Sequence, residues 1–367
     1  MKFSVNQKIL NEALGYVSKA SADKSPLPVL EGIKFTVAPG ELTLLGFDME
    51  IGITTTIEAD CTESVSFVLN ARLICEIVRT LPNENVTFEI KKSDTITAKL
   101  IAGNVKASIA AMSAEDFPNI PDYKSNASFE IDGETFKEMI NMTKFAVAQN
   151  DIKPILTGEL FEIGGGVFKM VALDGYKLAL SRENIDFQGK FKFVIKSKSL
   201  NECVSLIKTG TIKLFISEKN AAFEIGNYIV FTRLLEGEFH NYANAIPREE
   251  NVTATVRIKT SPFLKSIERS QLFIDEKIKS PVRLNFSDNL VQLSCKTIKG
   301  EFYDEIECDV NGQELEIGFN GRYLADALKS AASDEVLLKL INGHSPMVVT
   351  PIEGDDFLYL VLPIRLH

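Results

Sequence analysis

The sequence predicts an α+β chain of three similar domains, each with two helices packed on β-sheets. Three observations carry the prediction. One element order, strand–helix–strands taken twice, recurs in three consecutive blocks of roughly 120 residues, a common domain size. Apolar residues form 45% of the 367-residue chain, enough to give every block a core. The helical stretches also collect cations in a chain whose formal net charge is −10.

The blocks are residues 1–124, 125–249 and 250–367. In the first, strand-like 2–5 leads into a helix over 7–20, where Ile9, Leu10, Ala13, Leu14 and Val17 share one face. The polar loop 22–28 precedes strands at 29–37, 41–47 and 51–58. Strand-like 65–69 enters a second helix at Asn70, a suitable cap, with Leu73, Ile74, Ile77, Val78 and Leu81 on its apolar face. Strands at 86–90, 95–100 and 106–111 follow, and the block closes through Phe117-Pro118-Asn119-Ile120-Pro121.

The second block repeats this order. Strand 128–131 precedes a helix over 133–148, the polar loop 149–154, and strands at 158–163 and 167–173. A turn at Asp174-Gly175 comes next, since an Asp-Gly pair between strand-like runs signals a tight hairpin. Strand 191–195 enters a helix with Leu200, Cys203, Val204 and Ile207 inward, followed by strands at 211–216, 221–225 and 228–235. The closing segment runs from Glu236 to Pro247. In the third block, strand 253–258 and helix 261–270 precede strands at 282–286, 290–295 and 301–308. Strand 314–319 enters a helix with Leu324, Ala327, Leu328 and Ala331 inward, and strands at 336–340, 347–350 and 357–363 complete the chain.

Composition narrows the function classes. No apolar run approaches a membrane span. Residues 1–5 start directly with a strand-like pattern and no leader, so a cytoplasmic location is expected. The five cysteines are odd in number and lack Cys-x-x-Cys spacing, which fits reduced, buried thiols. An acidic chain repels nucleic acid on average, so any such binding requires segregated charge. The helical stretches offer that segregation. Lys8, Lys19, Arg72, Arg79, Lys137, Lys144, Lys196, Lys198, Lys208, Lys259, Lys265, Arg269, Arg322 and Lys329 stand against Glu12, Glu76, Glu134, Glu138, Glu202, Glu268 and Asp326. Fourteen cations less seven acids give +7, leaving −17 for the rest. Two readings stay open: ordinary solvated helix faces, or one positive surface that attracts phosphate without reading bases.

No catalytic constellation is visible. The three histidines, His240, His344 and His367, have no triad or metal-ligand arrangement, and no phosphate-cradling loop is present. Gly164-Gly165-Gly166 lies between strands and reads as a hairpin turn. Acid pairs such as Asp355-Asp356 and Glu249-Glu250 read as solvated loop charge. No cofactor and no metal are expected.

Several ordered fragments resemble one family. They are Met1-Lys2-Phe3, Leu27-Pro28-Val29-Leu30, Asp174-Gly175-Tyr176-Lys177-Leu178, Glu236-Gly237-Glu238-Phe239, Val282-Arg283-Leu284, Glu316-Ile317-Gly318-Phe319-Asn320, and the tail from Tyr359 to Leu366. By their order and spacing the chain resembles the bacterial sliding clamps, the beta subunits of the replicative DNA polymerase. The resemblance implies a head-to-tail dimeric ring of clamp domains around duplex DNA, with helices lining the hole. It implies a non-catalytic subunit of the polymerase holoenzyme, a nucleotidyltransferase complex. The implied partners are the replicative polymerase alpha subunit, an ATP-driven clamp loader, repair polymerases and other clamp-binding proteins, with no membrane.

Carried over by position, the family's peptide cleft comprises Leu156, Leu173, Gly175, Tyr176, Lys177 and Leu178, with His240, Ala245, Pro346, Val361, Leu362 and Pro363. DNA contacts fall at Lys24, Arg72, Arg79, Gln149, Asn150 and Lys198. The dimer contact falls at Lys106 and Ala107 on one side and at Leu272, Phe273, Glu301, Asp304 and Glu305 on the other. Phe273 is expected to fill the space of an aromatic missing near Ala107, and Lys106 to meet Glu301, Asp304 or Glu305. The family's usual turn is Thr-Asp-Gly-His-Arg-Leu; Leu173, Tyr176 and Lys177 depart from it, and His240 replaces a proline. Shifted partner preference is the expectation. A carboxylate-using hydrolase and a β-rich ligand-binding array are the competing readings; the missing constellation and the threefold repeat weigh against the first, the absent leader and odd cysteine count against the second.

Overall fold

The computed structural model describes residues 1–124, 127–150, 152–274 and 280–366. Asp151 of the expected 149–154 loop and the terminal His367 lie outside the described residues. Six βαβββ modules follow one another. The first is β1 (Lys2–Asn6), α1 (Gln7–Val17), β2 (Gly32–Ala38), β3 (Glu41–Phe47) and β4 (Ile51–Glu58). The second is β5 (Val65–Asn70), α2 (Ala71–Thr80), β6 (Asn85–Lys92), β7 (Ile96–Ala102) and β8 (Val105–Ser113). The third is β9 (Ala127–Asp132), α3 (Gly133–Thr143), β10 (Gly158–Gly164), β11 (Val167–Leu173) and β12 (Lys177–Asn184). The fourth is β13 (Phe191–Lys196), α4 (Ser197–Leu206), β14 (Thr211–Ile216), β15 (Asn220–Ile225) and β16 (Tyr228–Arg233). The fifth is β17 (Ala254–Lys259), α5 (Thr260–Gln271), β18 (Val282–Ser287), β19 (Leu290–Thr297) and β20 (Gly300–Gly312). The sixth is β21 (Leu315–Phe319), α6 (Gly321–Ser330), β22 (Glu335–Leu340), β23 (Met347–Pro351) and β24 (Phe357–Val361), after which β25 (Pro363–Ile364) pairs with β21.

Each helix starts directly after a strand, and at α1, α2, α3 and α6 a short polar side chain makes that junction. Asn6, Asn70, Asp132 and Asn320 each accept a backbone N–H from the first turn of the following helix, at 3.0 Å in every case. One expected strand start is corrected, from 29 to 32. Residues 28–31 form a 3-10 turn opened by Pro28, because proline presets φ and cannot donate to a ladder; Pro154 opens the same turn at 154–157, ahead of the strand expected at 158. The helices expected over 7–20 and 133–148 stop at Val17 and Thr143 and tighten into 3-10 turns at 18–20 and 144–146.

The modules work in pairs by exchanging their first strands. β1 pairs with β6 and β5 with β2; β9 with β14 and β13 with β10; β17 with β22 and β21 with β18. Three domains of two helices on antiparallel sheets result. The chain also forms two compact units, residues 1–137 with 198–234, and 138–197 with 235–367. In the first unit, β4 pairs with β16, and Phe3, Phe35, Phe67 and Phe88 stack under α1 and α2. In the second, β12 pairs with β24, and α5 packs on α6 over a core that includes Phe263, Leu284, Phe286, Leu324 and Tyr359.

Candidate functional site

The turn between β11 and β12 stands beside an apolar cluster of the second unit. Oδ1 of Asp174 accepts the N–H groups of Tyr176 (2.8 Å) and Lys177 (2.9 Å), and the Asp174 N–H donates to the Lys177 carbonyl (3.2 Å). Gly175 takes φ +91°. Gly175 and Tyr176 are thus the central residues, not Asp174 and Gly175. An Asp side chain reaches N–H groups two and three residues ahead, which places it before the bend. At the other hairpin, Gly165 and Gly166 occupy both central positions with φ +64° and +76°, as the triple glycine predicts.

β12 zips onto β24: Lys177 lies opposite Val361, Leu178 opposite Leu360, and the Leu362 N–H donates to the Tyr176 carbonyl at 3.0 Å. Leu156, Leu173, Leu178 and Leu360 meet Val171, Val194, Phe239 and Tyr242 in one apolar cluster, with Ile155, Ile246 and Leu362 half-buried against it. Tyr176 is 60% exposed beside this wall. His240 and Ala245 are exposed, and Pro346 and Pro363 are half-buried. Lys153 Nζ stands 3.4 Å from His240 Nε2.

Two residues expected in the cleft face elsewhere. Val361 is fully buried in the other core, with Phe357 and Tyr359. Strand alternation puts Leu358, Leu360 and Leu362 on the face of the apolar cluster and Val361 on the opposite one. Lys177 is 8% exposed; its Nζ donates to the Phe145 carbonyl (2.5 Å), near Asp174 (3.7 Å) and Asp326 (3.8 Å) and over the Tyr323 ring (5.0 Å). It props the turn from behind.

The helix charge also differs from expectation. Within the observed bounds the six helices carry nine cations and seven acids, a net of +2. Lys19, Lys144, Lys196, Lys208 and Lys259 lie just beyond helix ends. Two of them are neutralised in the first unit, Lys19 by Glu202 and Lys208 by Glu12, both at 2.8 Å. Lys24, Arg72, Arg79 and Lys198 are exposed in that unit, Arg72 in an i,i+4 pair with Glu76 (3.1 Å). Gln149 and Asn150 are exposed in the second unit, the Gln149 amide donating to the Val147 carbonyl (3.3 Å).

Each unit ends in a half-paired strand. Among the described residues, β8 pairs only with β7 over 105–111, and β20 only with β19 over 300–307. Lys106 is exposed and Ala107 half-buried on the first. Beside the second, Leu272 is 76% exposed, and Phe273 sits 5.8 Å from Phe302. Asp304 is taken by Arg269 (2.6 Å), Glu301 by Lys296, and Glu305 accepts the Tyr303 hydroxyl. Among the described residues no cluster of His, Cys, Asp or Glu could hold a metal, and no helix is long and apolar enough to cross a membrane.

Six βαβββ modules in three strand-exchanging domains define a scaffold of the clamp class. The chain belongs to the DNA polymerase III beta subunit family. It matches the family's N-terminal domain over residues 1–121, its central domain over 130–241 and its C-terminal domain over 243–365. It is 29% identical to the beta sliding clamp of Halalkalibacterium halodurans and 27% identical to that of Vibrio cholerae, covering 100% of both chains each time. A putative beta subunit structure from Eubacterium rectale matches with TM-score 0.93 at 31% identity over 99% of each chain, and the Bacillus subtilis sliding clamp with 0.96 at 26% over 100% of each. A Pseudomonas aeruginosa clamp solved with griselimycin bound matches at 0.92 and 26%, again over 100% of each chain. Its role is that of a sliding clamp, a processivity factor of DNA replication and not an enzyme.

Proposed function

We propose that two copies of this chain close head-to-tail into a ring that encircles duplex DNA in the cytoplasm and slides without sequence preference. The domains are residues 1–124, 125–249 and 250–367. The observation that carries the ring is the repeated joint. β4 of the first module pairs with β16 of the fourth and β12 of the third with β24 of the sixth, each joining one domain to the next, which leaves β8 and β20 as the two ends of this kind without a mate. An isologous or open contact would leave one such edge bare, whereas head-to-tail closure covers both.

The joint also fixes a register. Ile51, three residues after Asp48, pairs with Thr232, four residues after the start of β16. The same rule puts Gly300 opposite Ile109, Phe302 opposite Ala107 and Tyr303 opposite Lys106. Phe273, against Phe302, then fills the space beside Ala107. Lys106 has Glu301 and Glu305 as diagonal neighbours, while Asp304 stays with Arg269. The exposed cations, Lys24, Arg72, Arg79 and Lys198, with Gln149 and Asn150, touch phosphate weakly. Base-reading contacts would act as brakes, and enclosure holds the DNA. The apolar wall takes an extended peptide from the polymerase alpha subunit, the ATP-driven clamp loader, repair polymerases and other clamp-binding proteins.

Retention on DNA tests the reading. A clamp placed on nicked circular DNA by its loader stays through gel filtration, and leaves after the circle is cut. Equal retention on circle and line defeats the proposal. The register is tested in the same assay: mild oxidation of a Lys106→Cys, Tyr303→Cys variant gives a covalent dimer locked on the circle, and Lys106→Cys with Phe302→Cys does not.

A further inference from the structure

We propose that the peptide cleft continues into a basic cavity that takes an acidic stretch flanking the docking peptide. The inference rests on the cleft reading above and adds a second recognition element to it. A cavity of about 750 Å³ lies on β10, β11 and β13, lined among others by Lys169, Arg182, Lys190, Lys192, Glu162 and Phe191. It holds four cations and one carboxylate in a chain of net charge −10.

Three features of these cations call for an outside anion. Lys169 and Arg182 lie directly opposite each other on β11 and β12, where like charges destabilise a sheet. Lys169 and Lys190 have no ion-pair partner among the described residues, while Glu162 is committed to Lys192 (3.0 Å) and to the Tyr242 hydroxyl (2.5 Å). Arg182 pairs with Asp355, yet its Nε is buried without an acceptor. Buried donors are nearly always paired, so Arg182 is short of an acceptor, and a ligand oxygen would meet the exposed part of its side chain rather than Nε itself.

Alternation links the cavity to the cleft. On β12, Leu178, Leu180 and Arg182 share one face; on β24, Leu360 and Leu358 run beside them. Leu180 and Leu358 are half-buried at the edge of the cleft's apolar cluster. An extended chain covers the four residues from Leu178 to Arg182 in about 13 Å, so a peptide seated on the leucines reaches the lysines within about four residues. The occupant is therefore the flank of the peptide already docked, and carboxylates are the chemistry that suits lysines on an open floor.

Fluorescence anisotropy on the full-length dimer tests this with a polymerase-derived docking peptide, the same peptide carrying four Asp or Glu at either end, and a Lys-flanked control. With the acidic flank at one end, affinity rises about tenfold at low salt, the sum of a few exposed charge pairs. The gain fades with salt. It disappears in the Lys169→Gln, Lys190→Gln variant, which still binds the unflanked peptide as wild type does. No gain from either flank, or an equal gain in the variant, overturns the proposal. Should the unflanked peptide fail to bind, the cleft reading falls by itself. A free Asp/Glu hexapeptide then decides the cavity: shifts of the Lys169 and Lys190 side-chain resonances support it and their absence refutes it. Displacement of the flank by inorganic pyrophosphate, with no preference for carboxylate peptides, would assign the cavity to phosphate instead and overturn the peptide claim.

Discussion

The turn at Asp48 in the first unit and the turn at Asp174 in the second share one backbone. Asp48 Oδ1 accepts the N–H groups of Glu50 (2.9 Å) and Ile51 (2.7 Å), just as Asp174 holds Tyr176 and Lys177. The Arg233 N–H donates to the Glu50 carbonyl (2.9 Å), and the Leu362 N–H to the Tyr176 carbonyl (3.0 Å). What differs is side chains. Beside Asp48 stand Phe47 and Phe231, rings 5.9 Å apart and edge-on, with Gly52 under Ile120. At the matching positions beside Asp174 stand Leu173, Leu360 and Leu178. Two aromatics fill the first place; leucines line the second. The two copies therefore differ in shape over one backbone: two rings meet beside a glycine in the first, and three leucines line the second, where the docking site is proposed.

A further contrast lies under the strands. Gly32-Ile33 and Gly158-Glu159 open β2 and β10 alike, but Ile33 is apolar and Glu159 is a fully buried acid. Its carboxylate accepts hydroxyl hydrogen bonds from Thr143 at the end of α3 (2.5 Å) and Ser197 at the start of α4 (3.1 Å). Burial pushes the carboxyl up to about 7, with the two hydrogen bonds opposing. The native state therefore keeps a proton that the unfolded chain gives up. This contribution is full below about pH 4.5 and is lost as pH rises through about 7. Between pH 5 and 8 the wild type should lose about 2–3 kcal/mol relative to Glu159→Gln, by urea unfolding. Parallel pH profiles for the two proteins would show that the contrast has no energetic content.

Asp48→Ala and Asp174→Ala should each cost about 1–2 kcal/mol, since each strips the acceptor from two N–H groups. Similar losses confirm that the turns are one device, and a loss at only one site breaks the equivalence. Leu173→Phe with Leu360→Phe copies the first unit's filling into the second. Peptide affinity should fall about tenfold by anisotropy while retention on circular DNA holds. Unchanged affinity would remove the two rings as the distinguishing cause. The smallest effect is at Met49, whose φ of +76° is unfavourable for a side chain. Met49→Gly should gain up to about 1 kcal/mol in urea unfolding, and no gain would mean the strain is relieved by contacts.

Much of the fold was readable from local chemistry. Apolar periodicity located the helices, Asn70 marked a helix start, and Gly165-Gly166 marked a hairpin with positive φ at both positions. The errors share a cause. Pro28 heads a run that looks like strand, and the missing N–H outweighed the apolar pattern. Five lysines counted on helices belong to their flanks, because periodicity does not fix a helix end to the residue. Within the site, Val361 and Leu360 look equivalent by composition, and only the phase of β24 separates them. Lys177 reads as a surface charge until the Phe145 carbonyl and Asp326 come to meet it.

The sequence by itself determined the sixfold element order, the caps, the turns and the family, since all of these rest on contacts between near neighbours or on patterns repeated along the chain. Tertiary structure alone decided which strands exchange, which leucines share the cleft face, and where Lys169 and Arg182 stand opposed. Those outcomes depend on backbone hydrogen bonds between segments far apart in sequence, and one residue of register turns a side chain to the other face of its sheet.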